Sequence, residues 1–194
     1  PEGSSDLFYS ERLIRVPKSF LCYTGNDKFN IKDLPPSHIN NFITFGSFNN
    51  FTKINSKVIQ VWSNILRLIP KSKLILKNSD ANSDTKFILN KFSDEGIDLD
   101  NIIIFNKIPE ISDHMDLYNS IDVALDTFPF NGATTTFEAL WMGVPVITFS
   151  GKTHASRVTS SILHNLNLET LIAKDVGNYQ KKAIEISNDY KFLL

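Results

Sequence analysis

The sequence predicts a doubly wound parallel α/β sheet, and three observations carry that expectation. After Asn41, short apolar runs alternate about five times with segments of helical period. The runs are continuous rather than alternating, as in strands covered on both faces. Glycine and proline punctuate the joints, at Gly46, Pro70, Gly96, Gly143 and Pro145.

Residues 1–41 show no sustained period and read as a linker or ordered arm, with one short strand candidate, Phe20–Tyr23. Residues 42–194 read as the lobe itself. Phe42–Phe45 is a strand ending in Gly46. Val58, Trp62, Ile65, Leu66 and Ile69 recur at helical spacing behind a cap at Asn55 or Ser56, and Pro70 stops them. Leu74–Leu76 is a buried type of strand. Residues 84–95 form an amphipathic helix closed by Gly96, and Ile102–Phe105 is the third strand. Residues 112–120 look helical, and Val123–Leu125 is a strand running into the turn-rich Asp126–Thr134. Residues 135–142 form a helix with Gly143 behind it. Val146–Phe149 is a strand, 154–165 a helix, Leu171–Ile172 a short last strand and 176–189 a final helix.

Composition narrows the function. The 194 residues suffice for a core without disulfides. A net charge of -1, from 20 basic and 21 acidic residues, gives no global field for nucleic acid or an anionic membrane. One cysteine, Cys22, excludes an internal disulfide framework and a cysteine-cluster zinc site, and the four histidines show no metal spacing. No apolar run approaches the ~20 residues of a membrane span. No targeting pattern is present, so the expected location is cytoplasmic. Pro1 and Leu194 both read as cuts in a longer protein.

A parallel sheet binds ligands beyond the carboxyl ends of its strands, near helix N-termini. Three segments fall there: Gly46–Lys53, Lys107–His114 and Asp126–Glu138. In the third, a strand ends, the chain turns through Pro129 and Gly132, and Thr134, Thr135 and Thr136 open a helix. Free N–H groups and hydroxyls in that position suit a diphosphate. Thr135 and Glu138 equally spell a capping box, and the two readings are compatible. Lys53 either sets a positive charge on phosphate or is a solvated lysine before a helix. His114 either lies against a base or is a surface histidine. Gly151-Lys152-Thr153 lacks the earlier glycine of a phosphate loop, Val146 standing in its place. Asp98-Leu99-Asp100 precedes a strand and reads as a turn.

Taken together and in order, FGSFNNFTKI, DHMDLYNSIDVALDTFPFNGATTTFEALWMGVPVIT and HASRV resemble the carboxyl-terminal catalytic half of the O-linked N-acetylglucosamine transferase family, which includes the plant SPINDLY proteins and bacterial tetratricopeptide-repeat homologues. ERLIRVPKSFLCYTG resembles the linker leading into that half.

The resemblance implies the C-terminal, donor-binding Rossmann-like lobe of a GT-B glycosyltransferase. It implies inverting, metal-independent transfer of a sugar from a nucleotide diphosphate to Ser or Thr of an acceptor protein, with no cofactor. By the same resemblance, Lys53 contacts the donor diphosphate and stabilises the leaving group. Thr134 and Thr135 hold the diphosphate, Glu138 the ribose, and His114 lies against the nucleoside. Asn50 is a polar position near the nucleotide. Ala133 and Ile111 replace a histidine and a lysine of the animal enzyme, which leaves the donor open between UDP-N-acetylglucosamine and GDP-fucose. The general base, acceptor contacts and tetratricopeptide repeats would belong to the missing N-terminal part, so the fragment alone is expected to be inactive. A nucleotide-sugar epimerase lobe and a non-catalytic scaffold lobe are the alternatives.

Overall fold

In a computed structural model the chain is described at residues 6–16, 19–78 and 85–193. Its elements in chain order are α1 (Ser37–Asn40), β1 (Thr44–Ser47), α2 (Ser56–Leu68), β2 (Lys73–Lys77), α3 (Thr85–Asp94), β3 (Ile102–Phe105), α4 (Ile111–Asp116), β4 (Val123–Leu125), α5 (Thr134–Trp141), β5 (Val146–Phe149), α6 (Val158–Asn165), β6 (Ile172–Ala173), α7 (Val176–Asn188) and α8 (Tyr190–Leu193). All pairings are parallel, in the order β3-β2-β1-β4-β5-β6. The sheet grows outward from β1 in one direction and from β4 in the other. The two meet at the switch point, where neighbouring connections leave in opposite directions and open a crevice.

Side-chain alternation along the strands builds two cores. Phe45, Leu74, Leu76, Val123, Leu125 and Ile147 face α2, α3 and α7, which contribute Trp62, Ile65, Ile88, Phe92 and Tyr179. On the other face, Phe48, Ile75, Ala124 and Val146 pack with Met115, Tyr118, Ala139 and Met142 of the α4–α5 side. Helices therefore cover both faces, as the continuous apolar strands require. Gly46 is needed for this closeness, because a Cβ there would stand 2.5 Å from Ile121.

Several boundaries differ from the expectation. Phe20–Tyr23 forms no strand. The chain there packs by side chains, Tyr23 stacking on Phe137 with ring centroids 5.3 Å apart. β1 begins at Thr44 and continues through Gly46 to Ser47, because those residues pair with Ile75 and Leu76. The 112–120 segment divides into α4 and a 3-10 turn, Leu117–Ser120. The helix expected over 154–165 starts only at Val158. The preceding residues form a turn in which Ser156 and Thr153 hydrogen-bond reciprocally. Asp84, the first residue of the helix expected over 84–95, lies outside the described residues. Asp98 accepts from the Asp100 N–H, as a turn residue does.

Asp122 ties residues 37–44 to the lobe. Its carboxylate accepts from the Ser37 N–H at 2.9 Å and the Thr44 N–H at 2.7 Å. Burial raises its pKa, and these hydrogen bonds partly oppose the rise.

Candidate functional site

The crevice at the β1–β4 switch point is lined by two loops. The first runs from β1 through a 3-10 turn, Phe51–Lys53, into α2. Asn50 closes that turn, its side-chain oxygen accepting from the Thr52 N–H and the Thr52 hydroxyl. Asn55 caps α2 by accepting from the Val58 N–H. The turn lifts Lys53 toward the second loop. Its ammonium donates to the Asn131 carbonyl at 2.9 Å and the Asn49 side-chain oxygen at 3.3 Å, and sits 4.3 Å from the centre of the Phe130 ring. Burial lowers the Lys53 pKa, and the Asp126 carboxylate pulls against that shift.

The second loop, between β4 and α5, is built around Asp126. This buried carboxylate accepts from the Gly132 N–H at 2.7 Å, the Thr127 N–H at 2.9 Å and the Thr148 hydroxyl at 2.7 Å. Burial nevertheless raises its pKa. The loop is also fixed by Thr159, whose hydroxyl donates to the Gly132 carbonyl, and by Tyr179, whose hydroxyl donates to the Asp126 carbonyl. A Cβ on Gly132 would stand 2.7 Å and 2.8 Å from the Thr135 and Thr136 hydroxyls, so a larger residue would displace them from the helix start.

The helix that follows begins uncapped. Ala133 is its N-cap residue and offers no side-chain hydrogen bond. The sequence spells a capping box here, but Thr135 lies inside the helix and Glu138 turns away from its start. The Thr136 N–H donates to the Ala133 carbonyl at 3.1 Å, while those of Thr134 and Thr135 make no backbone hydrogen bond among the described residues, at the positive end of the helix dipole. Thr134 is exposed at the first helical position, and Thr135 donates to Asn49 at 3.3 Å. Asn49, 5% exposed, therefore joins Lys53 to the helix start.

Glu138 instead enters a second cluster. His114 Nε2 lies 3.0 Å from its carboxylate, and the Tyr118 hydroxyl donates to the same oxygen at 3.1 Å. Burial pushes Glu138 up, but the hydrogen bond and charge of His114, the Tyr118 hydroxyl and Lys77 outweigh it, leaving the pKa lowered. His114 is 7% exposed, its ring among Phe48 and Tyr118, and its Nδ1 is buried without a partner. It is a buried residue of the crevice wall, not a surface histidine.

The structure thus joins Lys53 to Thr135 through Asn49, and pairs His114 with Glu138. It leaves Thr134 exposed beside them and turns the Asn50 side chain into its own loop. Asn49, Asp126 and Tyr118 are the residues that sequence reasoning missed. Among the described residues no cluster of three or more His, Cys, Asp or Glu could hold a metal ion. No helix there is long and apolar enough to cross a membrane.

The glycosyl transferase family 41 model matches residues 15–194. The chain belongs to glycosyl transferase family 41. Among family 41 relatives, one from Solanum lycopersicum is 40% identical over 181 residues, 92% of this chain and 19% of its own length. It bears the name "Probable UDP-N-acetylglucosamine--peptide N-acetylglucosaminyltransferase SPINDLY". The corresponding SEC protein of Arabidopsis thaliana is 31% identical over 192 residues, 92% of this chain and 19% of its own length. A solved Lys-to-Met mutant of the Thermobaculum terrenum O-GlcNAc transferase superposes with a TM-score of 0.89 at 31% identity, over 97% of this chain and 36% of that one. The family 41 chain described here spans about a fifth of the length of the curated relatives it matches, and its fold is that of a GT-B catalytic lobe.

Proposed function

We propose that residues 42–194 are the donor-binding lobe of a protein O-glycosyltransferase, and that residues 1–41 are the arm leading into it. The enzyme would transfer N-acetylglucosamine or fucose from UDP-N-acetylglucosamine or GDP-fucose to Ser or Thr of proteins. The observation that carries this reading is the convergence of Lys53, Asn49 and Thr135 on the uncapped N-terminus of α5. The acceptor proteins, the opposite lobe, the repeats and the general base belong to the rest of the protein. The reaction is placed in the cytoplasm.

In the proposed reaction the acceptor hydroxyl attacks the anomeric carbon from the face opposite the diphosphate. The carbon–oxygen bond to the diphosphate breaks, and the leaving nucleoside diphosphate keeps the electron pair. The hydroxyl proton passes to a base outside this chain. Negative charge builds on the diphosphate as the bond breaks. The Lys53 ammonium and the first-turn N–H groups of α5 meet that charge, half-buried and already oriented, so little reorganisation is needed. No metal or cofactor is invoked. Thr134 and Thr135 donate hydroxyls to the diphosphate. Glu138 accepts from ribose hydroxyls, and the aromatic wall of His114, Phe48 and Tyr118 lies against the nucleoside. Asn50 supports this end of the site by holding the turn that presents Lys53.

The test is transfer to a protein acceptor by the complete enzyme. Lys53→Ala should lower turnover by about 10²- to 10³-fold, the usual cost of removing one such stabilising contact. Unchanged turnover would remove Lys53 from the chemistry.

A further inference from the structure

Lys77 ends β2, directly beside the Phe105 end of β3. Lysines are mostly exposed, yet this residue is only 8% exposed. Among the described residues it makes no hydrogen bond and no ion pair at salt-bridge distance. Ile75, two residues earlier on the same face, packs with Phe48, Met115 and Tyr118. Lys77 therefore points to the α4–α5 side, one step nearer the crevice than Ile75. Its electrostatic partners agree: Glu138 attracts it, and Lys107 of the β3–α4 loop repels it. Burial is the largest influence on Lys77 and lowers its pKa. Lys53, by contrast, feels Asp126, at the other end of the crevice. The order across the site is thus Lys53 and Thr135, then Glu138 and His114, then Lys77. The last position lies beyond the ribose, where a base would rest.

We propose that Lys77 reads the nucleobase of the donor, donating to the ring carbonyl of uracil or guanine beside His114. The ammonium makes no hydrogen bond among the described residues, so it is available to an acceptor that enters the crevice. The O4 of uracil and the O6 of guanine are acceptors. At the matching edge cytosine and adenine present N–H donors, which would oppose the ammonium. This inference rests on the donor-lobe reading above and adds what selects the base.

The experiment titrates UDP, GDP, CDP, ADP and inorganic pyrophosphate into the complete protein, as wild type, Lys77→Met and Lys77→Arg. Wild type should prefer UDP to CDP, or GDP to ADP, by about tenfold or more. Whichever pair shows the preference identifies the base. Lys77→Met should bring that ratio near unity while pyrophosphate binding stays within about twofold, and Lys77→Arg should restore the ratio. Lys77→Gln, whose amide can donate or accept, gives the same readout should the methionine variant be unstable. An unchanged ratio in Lys77→Met, or an equal loss of pyrophosphate, would overturn the proposal. Wild-type protein that binds pyrophosphate and all four nucleotides alike would overturn it and leave the donor-lobe reading standing. Wild-type protein that binds none of them would remove both.

Discussion

His114 Nε2 lies 3.0 Å from Glu138 Oε2, and neither residue is more than a tenth exposed. The pair joins α4 to α5 across the crevice wall, and it makes a titration behaviour measurable. The folded-state pKa of Glu138 is below its ordinary value. Its contribution to stability is therefore fully present above the ordinary glutamate range and is lost as pH falls through the folded value. Glu138→Gln should lower Tm at neutral pH, and the gap to wild type should shrink as pH falls below the ordinary glutamate range. A gap of constant size down to strongly acid pH would show that the carboxylate charge is not what the pair uses.

Asp126 has the opposite sign. Its raised pKa means that ionisation is disfavoured in the folded state, so its contribution to stability falls as pH rises through that value. Its hydrogen bonds still organise the loop. Asp126→Ala would leave the Gly132 and Thr127 N–H groups and the Thr148 hydroxyl without an acceptor. At about 1–3 kcal/mol for each buried group left unpaired, a loss of about 3 kcal/mol or more is expected. Chemical denaturation measures it, and a loss under about 1 kcal/mol would mean that the loop is held mainly by Thr159 and Tyr179.

Gly132→Ala tests the tight helix start. The added methyl meets two hydroxyls within 2.8 Å. The threonines must shift, at a cost of about 1–3 kcal/mol. Pyrophosphate affinity should fall by about tenfold, because the displaced groups are those proposed to meet the diphosphate. Wild-type affinity in this variant would place the anion elsewhere.

Asn49→Ala separates positioning from charge. It removes the bridge between Lys53 and Thr135 but keeps the ammonium. Nucleotide affinity should drop about three- to tenfold, less than on loss of Lys53 itself. A loss as large as that of Lys53→Met would make Asn49 a direct ligand.

Much of the fold was legible because continuous apolar strands between amphipathic helices admit few arrangements. Ile102–Phe105 and Val123–Leu125 match β3 and β4 to the residue. Phe20–Tyr23 forms no strand because Tyr23 packs on Phe137 and Trp141, and Phe20 on His154, rather than joining a ladder. The late start of α6 depends on Ser156 and Thr153 hydroxyls, whose partners no periodicity reveals. The site was partly legible: turns after strands placed Lys53, His114 and the threonines at one end of the sheet. Which of two adjacent asparagines meets Lys53 depends on loop backbone alone, and here it is Asn49. The capping-box pattern fitted Glu138 locally, but His114 and Tyr118 offered it better partners across the fold.

The most direct measurement is calorimetric titration of UDP and GDP into the complete protein and its Lys53→Met variant. Wild type should bind at least one of the two, with inorganic pyrophosphate competing. The variant should bind it about tenfold or more weakly, as expected for loss of a charge-assisted hydrogen bond. Equal affinity in the two proteins, or failure of pyrophosphate to compete, would contradict a diphosphate site between Lys53 and the start of α5.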